Sequence, residues 1–137
     1  MAKTTKSELA STGYKGSLKH VMGLVRHHME LFFAGQKYVP TPYIKGPPGI
    51  GKTEMIAQLA VEFDVPFRDI PLIIYDTVDM RGVPYVKDGV THWALPSELP
   101  TEGKGILFFD EFTQAFQSLQ NASSRIILSR QLGEWKV

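Results

Sequence analysis

The sequence has 137 residues, which favours a single domain, and its 43% hydrophobic and 21% charged residues are typical of a soluble globular protein. Fifteen Lys and Arg against fourteen Asp and Glu leave a formal charge of +1, so the composition gives no support for binding to nucleic acid or anionic membrane. Cysteine is absent, which excludes disulfide bonds and thiolate chemistry.

The first residues, 1–16, mix Lys, Thr, Ser and Gly without periodicity, and this pattern predicts a flexible arm. The arm contains no apolar signal core. The longest apolar runs of the chain, such as Ile106–Phe109, are far too short to span a bilayer. Secreted and integral-membrane proteins are therefore disfavoured, and we expect a cytoplasmic protein.

The remaining residues, 17–137, are expected to form one partial domain that begins with a helix over 17–36. Ser17 can cap this helix, and Gly35 is a stop signal. The apolar residues fall on one helical face, which we expect to pack on a core; they are Leu18, Val21, Met22, Val25, Met29, Phe32 and Phe33.

A second unit is predicted over 43–64. It starts with a short apolar strand, Tyr43–Ile44, which follows Pro40 and Pro42 and leads into a loop rich in Gly and Pro. A helix from Thr53 to about Asp64 comes next. Its apolar residues recur at helical spacing and are Met55, Ile56, Leu59, Ala60 and Phe63.

A strand and a hairpin are predicted in the middle of the chain. Ile70–Tyr75 is apolar enough for a strand, and Pro71 places it at a strand start or a sheet edge. Residues 83–93 have the pattern of a hairpin insertion, with Asp88 and Gly89 as its turn.

The last predicted unit, 105–132, combines a strand with a helix. Ile106–Phe109 is short and wholly apolar, which suits a buried parallel strand. The following helix is stopped near Gly133, and its apolar stripe consists of Phe112, Ala115, Phe116, Leu119, Ile126 and Ile127. The alternation of helices and strands along the chain predicts an α/β fold with a mostly parallel sheet.

The segment Gly46–Thr53 matches the phosphate-loop pattern G-x-x-x-x-G-K-[ST] at every fixed position. Glycines let the backbone curl so that its N–H groups cradle phosphate oxygens, and the helix that starts here adds its positive dipole end. Lys52 is expected to reach the β- and γ-phosphates, and the Thr53 hydroxyl to ligate Mg²⁺. The predicted nucleotide-binding residues are Gly46, Pro47, Pro48, Gly49, Ile50, Gly51, Lys52, Thr53 and Glu54.

Two carboxylates, Asp110 and Glu111, directly follow the apolar run Ile106–Phe109. They are therefore expected at the C-terminal end of a buried strand, where ligands of open α/β sheets collect. An Asp-Glu pair by itself is equally compatible with a polar strand end, but the phosphate loop upstream favours a functional role. We predict that Asp110 and Thr53 hold the metal. Glu111 and Lys52 are the predicted catalytic residues, and Glu111 is expected to polarise the attacking water.

These two motifs, Gly46–Thr53 and Ile106–Glu111, resemble the Walker A and Walker B motifs of the AAA+ ATPases. Within that superfamily the chain looks most like the MoxR-type branch and its phage-encoded relatives. Asp79–Pro84 resembles the D-[LM]-x-G-x-P stretch of that branch, and Leu128–Val137 resembles its segment after the Walker B helix. The resemblance covers residues 38–137 and implies a three-layer αβα P-loop NTPase fold.

The resemblance implies a Mg²⁺-dependent ATPase with ATP as its nucleotide. Such a protein would assemble into a ring, a hexamer in the complete protein, and remodel a protein or protein–nucleic-acid assembly. A protein substrate or adaptor is the expected partner, nucleic acid has no support from the charge, and no membrane partner is expected. Two alternatives stay open: a nucleotide-binding switch or assembly module with little or no hydrolysis, and a P-loop kinase, against which the adjacent acid pair argues.

The sequence departs from the family at two points. After the Asp-Glu pair the branch usually has Asn-Arg-Ala-Pro, whereas this chain has Phe112–Ala115. The sensor-1 strand, arginine finger and helical lid cannot be placed before Val137, so we expect a module truncated before them, as part of a longer product. Direct pairing of the two motif strands, or a strand from a neighbouring chain, are the alternatives. The isolated chain is expected to bind nucleotide poorly and to hydrolyse it slowly, if at all.

Several weaker candidates have simpler explanations. Arg125 and Arg130, near the end of the last helix, fit solvated arginines better than a finger acting in trans, and Arg81 fits a solvated loop residue and a substrate contact equally. The hairpin carries Tyr85 and Trp93, and we expect Trp93 to pack against the core rather than to line a pore. The four histidines lack metal-ligand spacing, so no zinc site is predicted.

Overall fold

The structure is a computed structural model that describes residues 16–97, 99–100, 103–132 and 135–136. These residues divide into two units, one up to Lys52 and the other from Thr53 onward. The predicted flexible arm lies outside the described residues except for Gly16, and so does the predicted stop signal Gly133.

The first unit contains helix α1 (Leu18–Phe33) and the loop that follows it. Ser17 takes the predicted N-cap position, although its side chain makes no capping bond to a backbone N–H. Val25 is the buried residue of this helix, whereas Leu18 and Phe32, from the predicted apolar face, are exposed. The expectation that the whole face packs on a core is therefore wrong.

No strand forms over residues 36–47, so the predicted strand Tyr43–Ile44 is wrong. A strand needs a neighbour for its backbone hydrogen bonds, and none of the described strands pairs with this segment. Pro40 and Pro42 also lack the N–H groups that a ladder requires. Two apolar residues between prolines are too short a run to outweigh that loss.

Helix α2 (Lys52–Glu62) begins where the Gly- and Pro-rich loop ends. Four residues of its predicted apolar stripe are buried, namely Met55, Ile56, Leu59 and Ala60. The spacing of these residues therefore predicted the buried side of the helix correctly.

In the second unit, β1 (Phe67–Pro71) and β4 (Ile106–Asp110) pair in parallel over all five residues of each strand. The strand predicted over Ile70–Tyr75 is displaced, because β1 begins at Phe67 and a 3-10 helix follows over Leu72–Ile74. Proline closes the strand instead of opening it, since its missing N–H is tolerated where the ladder ends. The parallel pair and its helices confirm the predicted mixed α/β class.

The core of this unit lies on one face of the parallel pair. It brings together residues of β1, of the segments around it and of helix α4 (Gln117–Ser129). Its buried members are Ile70, Leu72, Met80, Leu99, Ala115, Leu119, Ala122 and Ile126. Leu107 and Phe109 pack against this cluster from β4, which anchors the strand that ends at the two predicted acids.

The helix predicted from Phe112 onward is divided in two. A 3-10 helix covers Phe112–Gln114, and α4 begins at Gln117. Phe116, which was expected on the apolar stripe, is 79% exposed. Helix α4 ends where Arg130 takes a left-handed backbone conformation, with φ of 54°, and a short antiparallel pair follows, formed by β5 (Gln131–Leu132) and β6 (Trp135–Lys136).

Two residues of the Asp79–Pro84 stretch, Asp79 and Gly82, have structural roles in helix α3 (Thr77–Arg81) and in the turn after it. Asp76 and Asp79 form a capping box, in which Asp79 Oδ2 accepts from the Asp76 backbone N–H at 2.7 Å. Gly82 has φ of 80°, and a Cβ there would collide with the Ala94 carbonyl oxygen. Both residues therefore fix the corner between α3 and the next strand.

The predicted hairpin consists of β2 (Val83–Lys87) and β3 (Val90–Ala94). Its turn residues Asp88 and Gly89 both have positive φ, 52° and 74°, as a tight hairpin turn requires. Trp93 is 43% exposed and lies outside the core cluster, so its predicted core packing is wrong. Within the described ranges, no helix has the length and apolarity to cross a membrane.

Candidate functional site

The predicted phosphate loop, Gly46–Thr53, is a largely exposed turn over residues 46–51, and its last two residues begin helix α2. Gly49 and Gly51 have φ of 77° and 87°, a region that residues with a Cβ rarely adopt. The Lys52 ammonium group donates to the carbonyl oxygens of Gly46, at 3.2 Å, and Pro47, at 3.0 Å. The lysine therefore closes the loop on itself, with its charge at the loop's first two residues.

The two predicted metal-binding residues lie together. Thr53 Oγ1 donates a hydrogen bond to Asp110 Oδ2 at 2.8 Å, although the residues are 57 positions apart. Thr53 belongs to the first turn of α2, and Asp110 is the last residue of β4. The bond thus ties the start of a helix to the C-terminal end of a parallel strand, where α/β proteins place their ligands.

Glu111 follows with an uncommon backbone conformation. Its φ and ψ of 53° and 29° are left-handed, which costs a residue with a side chain about 1 kcal/mol. Two hydrogen bonds hold it: its N–H donates to Asp110 Oδ1 at 2.8 Å, and its carbonyl accepts from the Gln114 N–H at 2.9 Å. Such conformations persist where the surroundings fix them, and they occur often in functional sites.

One acid that was not predicted from the sequence, Asp69, lies in β1. Asp69 pairs with Phe108, and alternate residues of a strand share a face, so Asp69 and Asp110 lie on the same face of the sheet. Partial burial raises the pKa of Asp69, and the negative charge of Asp110 raises it further. Asp69 precedes the strand predicted over Ile70–Tyr75, so it was not expected in the sheet, and only the register shows which residue it faces.

The oxygen atoms at this position fit Mg²⁺. A hydroxyl and a carboxylate are hard donors, and Mg²⁺ is usually held by one or two carboxylates together with water and phosphate oxygens. The part of the chain that the structure describes contains no group of three or more His, Cys, Asp or Glu residues that could hold a metal. One hydroxyl and one carboxylate make a donor set that suits an ion shared between protein and nucleotide.

The other predicted candidates are not drawn into this arrangement. Glu54 is exposed and accepts a 3.4 Å hydrogen bond from Gln58 on the same helix. Arg81 and Arg125 are exposed. Tyr85 stacks on His92 within the hairpin, with ring centroids 5.5 Å apart.

Comparisons with known proteins agree with the two motifs. Residues 42–132 match the family described as "ATPase family associated with various cellular activities (AAA)". The chain is also similar to Replication factor C subunit 3 of Saccharomyces cerevisiae, with 27% identity over 95 residues that cover 69% of this chain. The match covers 28% of that protein, so the chain spans less than a third of its length. No solved structure matches the chain.

Proposed function

Because the chain belongs to the AAA family of ATPases, we propose that the complete protein binds ATP at Gly46–Glu54 and hydrolyses it with the help of Mg²⁺. The observation that carries this proposal is the hydrogen bond between Thr53 and Asp110. It joins the last position of the phosphate-loop motif to the first acid of the second motif. A chance match to either motif gives no reason for these two side chains to meet.

Lys52 and the loop bind the polyphosphate. The Lys52 ammonium group exchanges its bonds to the Gly46 and Pro47 carbonyls for bonds to phosphate oxygens. A bond between two charged groups is about twice as strong as one to a neutral carbonyl, so the exchange favours the nucleotide. Thr53 and Asp110 would hold Mg²⁺, which neutralises charge on the phosphates when it is bound.

Glu111 acts as the general base. Its carboxylate accepts a proton from the water that attacks the γ-phosphate, while the 2.8 Å bond from its N–H to Asp110 keeps it at the end of β4. The rest of the reaction depends on positioning and on charge stabilisation, as is usual for phosphoryl transfer.

The test is a single-turnover ATP assay beside a binding titration, in the complete protein. Glu111→Gln keeps the shape of the side chain but removes the base, so turnover falls by about 100-fold or more while ATP affinity is unchanged. Glu30→Gln, which alters an exposed glutamate of α1, is the matched control and leaves both quantities as they are. Hydrolysis by Glu111→Gln at the parental rate would show that the base is another residue.

The same assay separates the ATPase from the alternative of a switch with little hydrolysis. A switch binds ATP but shows no single turnover, and Glu111→Gln then changes nothing.

We further propose that hydrolysis is coupled to remodelling of an assembly by an oligomeric ring of MoxR type. Asp79–Pro84 supports the branch, and the name of the yeast relative, a subunit, supports assembly into a complex. Sedimentation of the complete protein with and without ATP tests the hexamer.

A further inference from the structure

The Asp110 carboxylate divides its two oxygens between different partners. Oδ2 accepts from the Thr53 hydroxyl and Oδ1 accepts from the Glu111 backbone N–H, each at 2.8 Å. The first bond belongs to the metal-binding pair described above. The second is directed at the backbone of the neighbouring residue.

That second bond acts on a backbone that needs support. Glu111 has a left-handed conformation, which residues with a Cβ avoid, and the direction of its side chain follows from that conformation. Its carbonyl is held by the Gln114 N–H at 2.9 Å, so the Asp110 bond fixes the other end of the same residue. Without it, the chain after β4 is free to relax to the more favourable right-handed region.

We propose that Asp110 is a positioning residue for Glu111, and that Oδ1 does this work as a hydrogen-bond acceptor, separately from the charge that Asp110 offers to Mg²⁺. The inference rests on the proposed role of Glu111 as the base. It assigns two separable contributions to one side chain, so substitutions that remove one and keep the other tell them apart.

Asparagine and alanine provide that separation. In Asp110→Asn the amide oxygen still accepts from the Glu111 N–H, and the amide NH₂ donates to the Thr53 hydroxyl, which accepts as readily as it donates. This variant loses the charge and keeps both bonds. Asp110→Ala loses both bonds, and Thr53→Val, which has the same shape as Thr, loses only the bond to Oδ2.

The first measurement needs no nucleotide or metal: hydrogen exchange of the Glu111 amide in the complete protein, followed by NMR. Exchange becomes about tenfold faster or more in Asp110→Ala, because the N–H has lost its hydrogen-bond acceptor. It stays close to the parental rate in Asp110→Asn and Thr53→Val. The Ile70 amide in the buried core serves as the reference for global opening.

Fast Glu111 exchange in Asp110→Asn would overturn the proposal, because charge rather than the acceptor would then hold the backbone. Parental exchange in Asp110→Ala would also overturn it. Should Asp110→Ala fail to fold, Asp110→Leu, which has nearly the shape of the aspartate but accepts no hydrogen bond, takes its place with the same expected exchange.

The second measurement is ATP turnover as a function of Mg²⁺ concentration. Raised Mg²⁺ restores turnover in Asp110→Asn, whose defect lies in metal affinity, but not in Asp110→Ala, whose base is also displaced. If the parent hydrolyses no ATP while the exchange pattern holds, the proposed function fails and the positioning stands. If the parent is active and the pattern is absent, the positioning alone fails.

Discussion

Two apolar runs precede the two motifs, and they behave differently. Ile106–Phe109 becomes part of β4, pairs with β1 and packs Leu107 and Phe109 against the core. Tyr43–Ile44 stays irregular. The first run is four residues long with an N–H at every position, whereas the second is a pair of residues that follows two prolines. Whether a segment forms a strand therefore depends on a neighbouring strand and on backbone N–H donors, and not on apolar side chains alone.

The contrast extends to how each motif is held. The acid motif is tied to the fold by Thr53, by the register with β1 and by the core beneath β4. The phosphate loop is held by Lys52, which bonds to carbonyls of the same loop. Substitutions in the loop should therefore change binding without changing stability, and substitutions in β4 should change stability.

The largest expected effect is that of Lys52→Ala on nucleotide binding. It removes the one lysine side chain that closes the loop, and loss of its charged bonds to phosphate weakens ATP affinity about 100-fold or more in the complete protein. The free energy of unfolding stays the same, because the partners of Lys52 are exposed or half-buried loop carbonyls. Lys45→Ala, an exposed lysine just outside the motif, is the control. A large loss of stability in Lys52→Ala would contradict the separation of the two motifs.

A pair of alanine substitutions tests the two apolar runs directly. Phe109→Ala removes a ring packed on the core cluster and costs about 2 kcal/mol of unfolding free energy, less than a fully buried Phe because the strand is half-buried. Ile44→Ala, in the irregular segment, costs less than about 1 kcal/mol. Urea unfolding of both variants measures the difference. Equal costs would mean that the two runs are anchored alike.

The sequence correctly predicted the elements that depend only on residues close together in the chain. The Asp88-Gly89 turn requires positive φ at both residues, and the pattern of the hairpin follows from it. The α2 stripe predicted which residues are buried, because helical spacing alone selects one side. Phe116 is the exception: it fits the stripe of α4 by spacing, yet it lies before the helix begins and is exposed to solvent.

The sequence did not reveal which residues far apart in the chain come into contact. The phosphate loop and the acid pair were found as patterns, but the contact between Thr53 and Asp110 depends on how a helix meets a strand 57 positions away. Asp69 was missed because only the parallel register shows that it shares a sheet face with Asp110. The left-handed backbone of Glu111 has no signal in the sequence, since glutamate does not favour it.

A smaller effect is expected in α4, the helix that supplies Leu119, Ala122 and Ile126 to the core. Ser123 on α4 is fully buried, and among the described residues its hydroxyl has no hydrogen-bond partner. Ser123→Ala removes this uncompensated polar atom and should stabilise the protein by about 1 kcal/mol. Ser118→Ala is the matched control, because its exposed hydroxyl accepts from Thr77 and its loss is slightly destabilising. A destabilised Ser123→Ala would mean that the hydroxyl is satisfied.

The smallest effect concerns the charge of Asp69, which lies on the same sheet face as Asp110 of the acid motif. Burial and the neighbouring Asp110 raise the pKa of Asp69 above its ordinary value of 3.8, so the folded chain binds this proton more tightly than the unfolded chain. Stability therefore falls as pH rises through the window that opens near 3.8 and closes above the folded pKa. Asp69→Asn has no such penalty, so it should be slightly more stable than the parent at neutral pH.

The pH dependence of that difference identifies its cause. Well below the window both side chains are neutral, and the advantage of Asp69→Asn should vanish; urea midpoints at neutral pH and at about pH 2.5 measure it. Because Asp69 is exposed, solvent screens most of the repulsion and the gain at neutral pH is small. An advantage that persists in acid would come from packing, and a loss at neutral pH would mean that the ionised carboxylate is stabilised. Either result would contradict the view that repulsion between the carboxylates of Asp69 and Asp110 lowers the stability of the fold around the acid motif, a loss that the phosphate loop does not have.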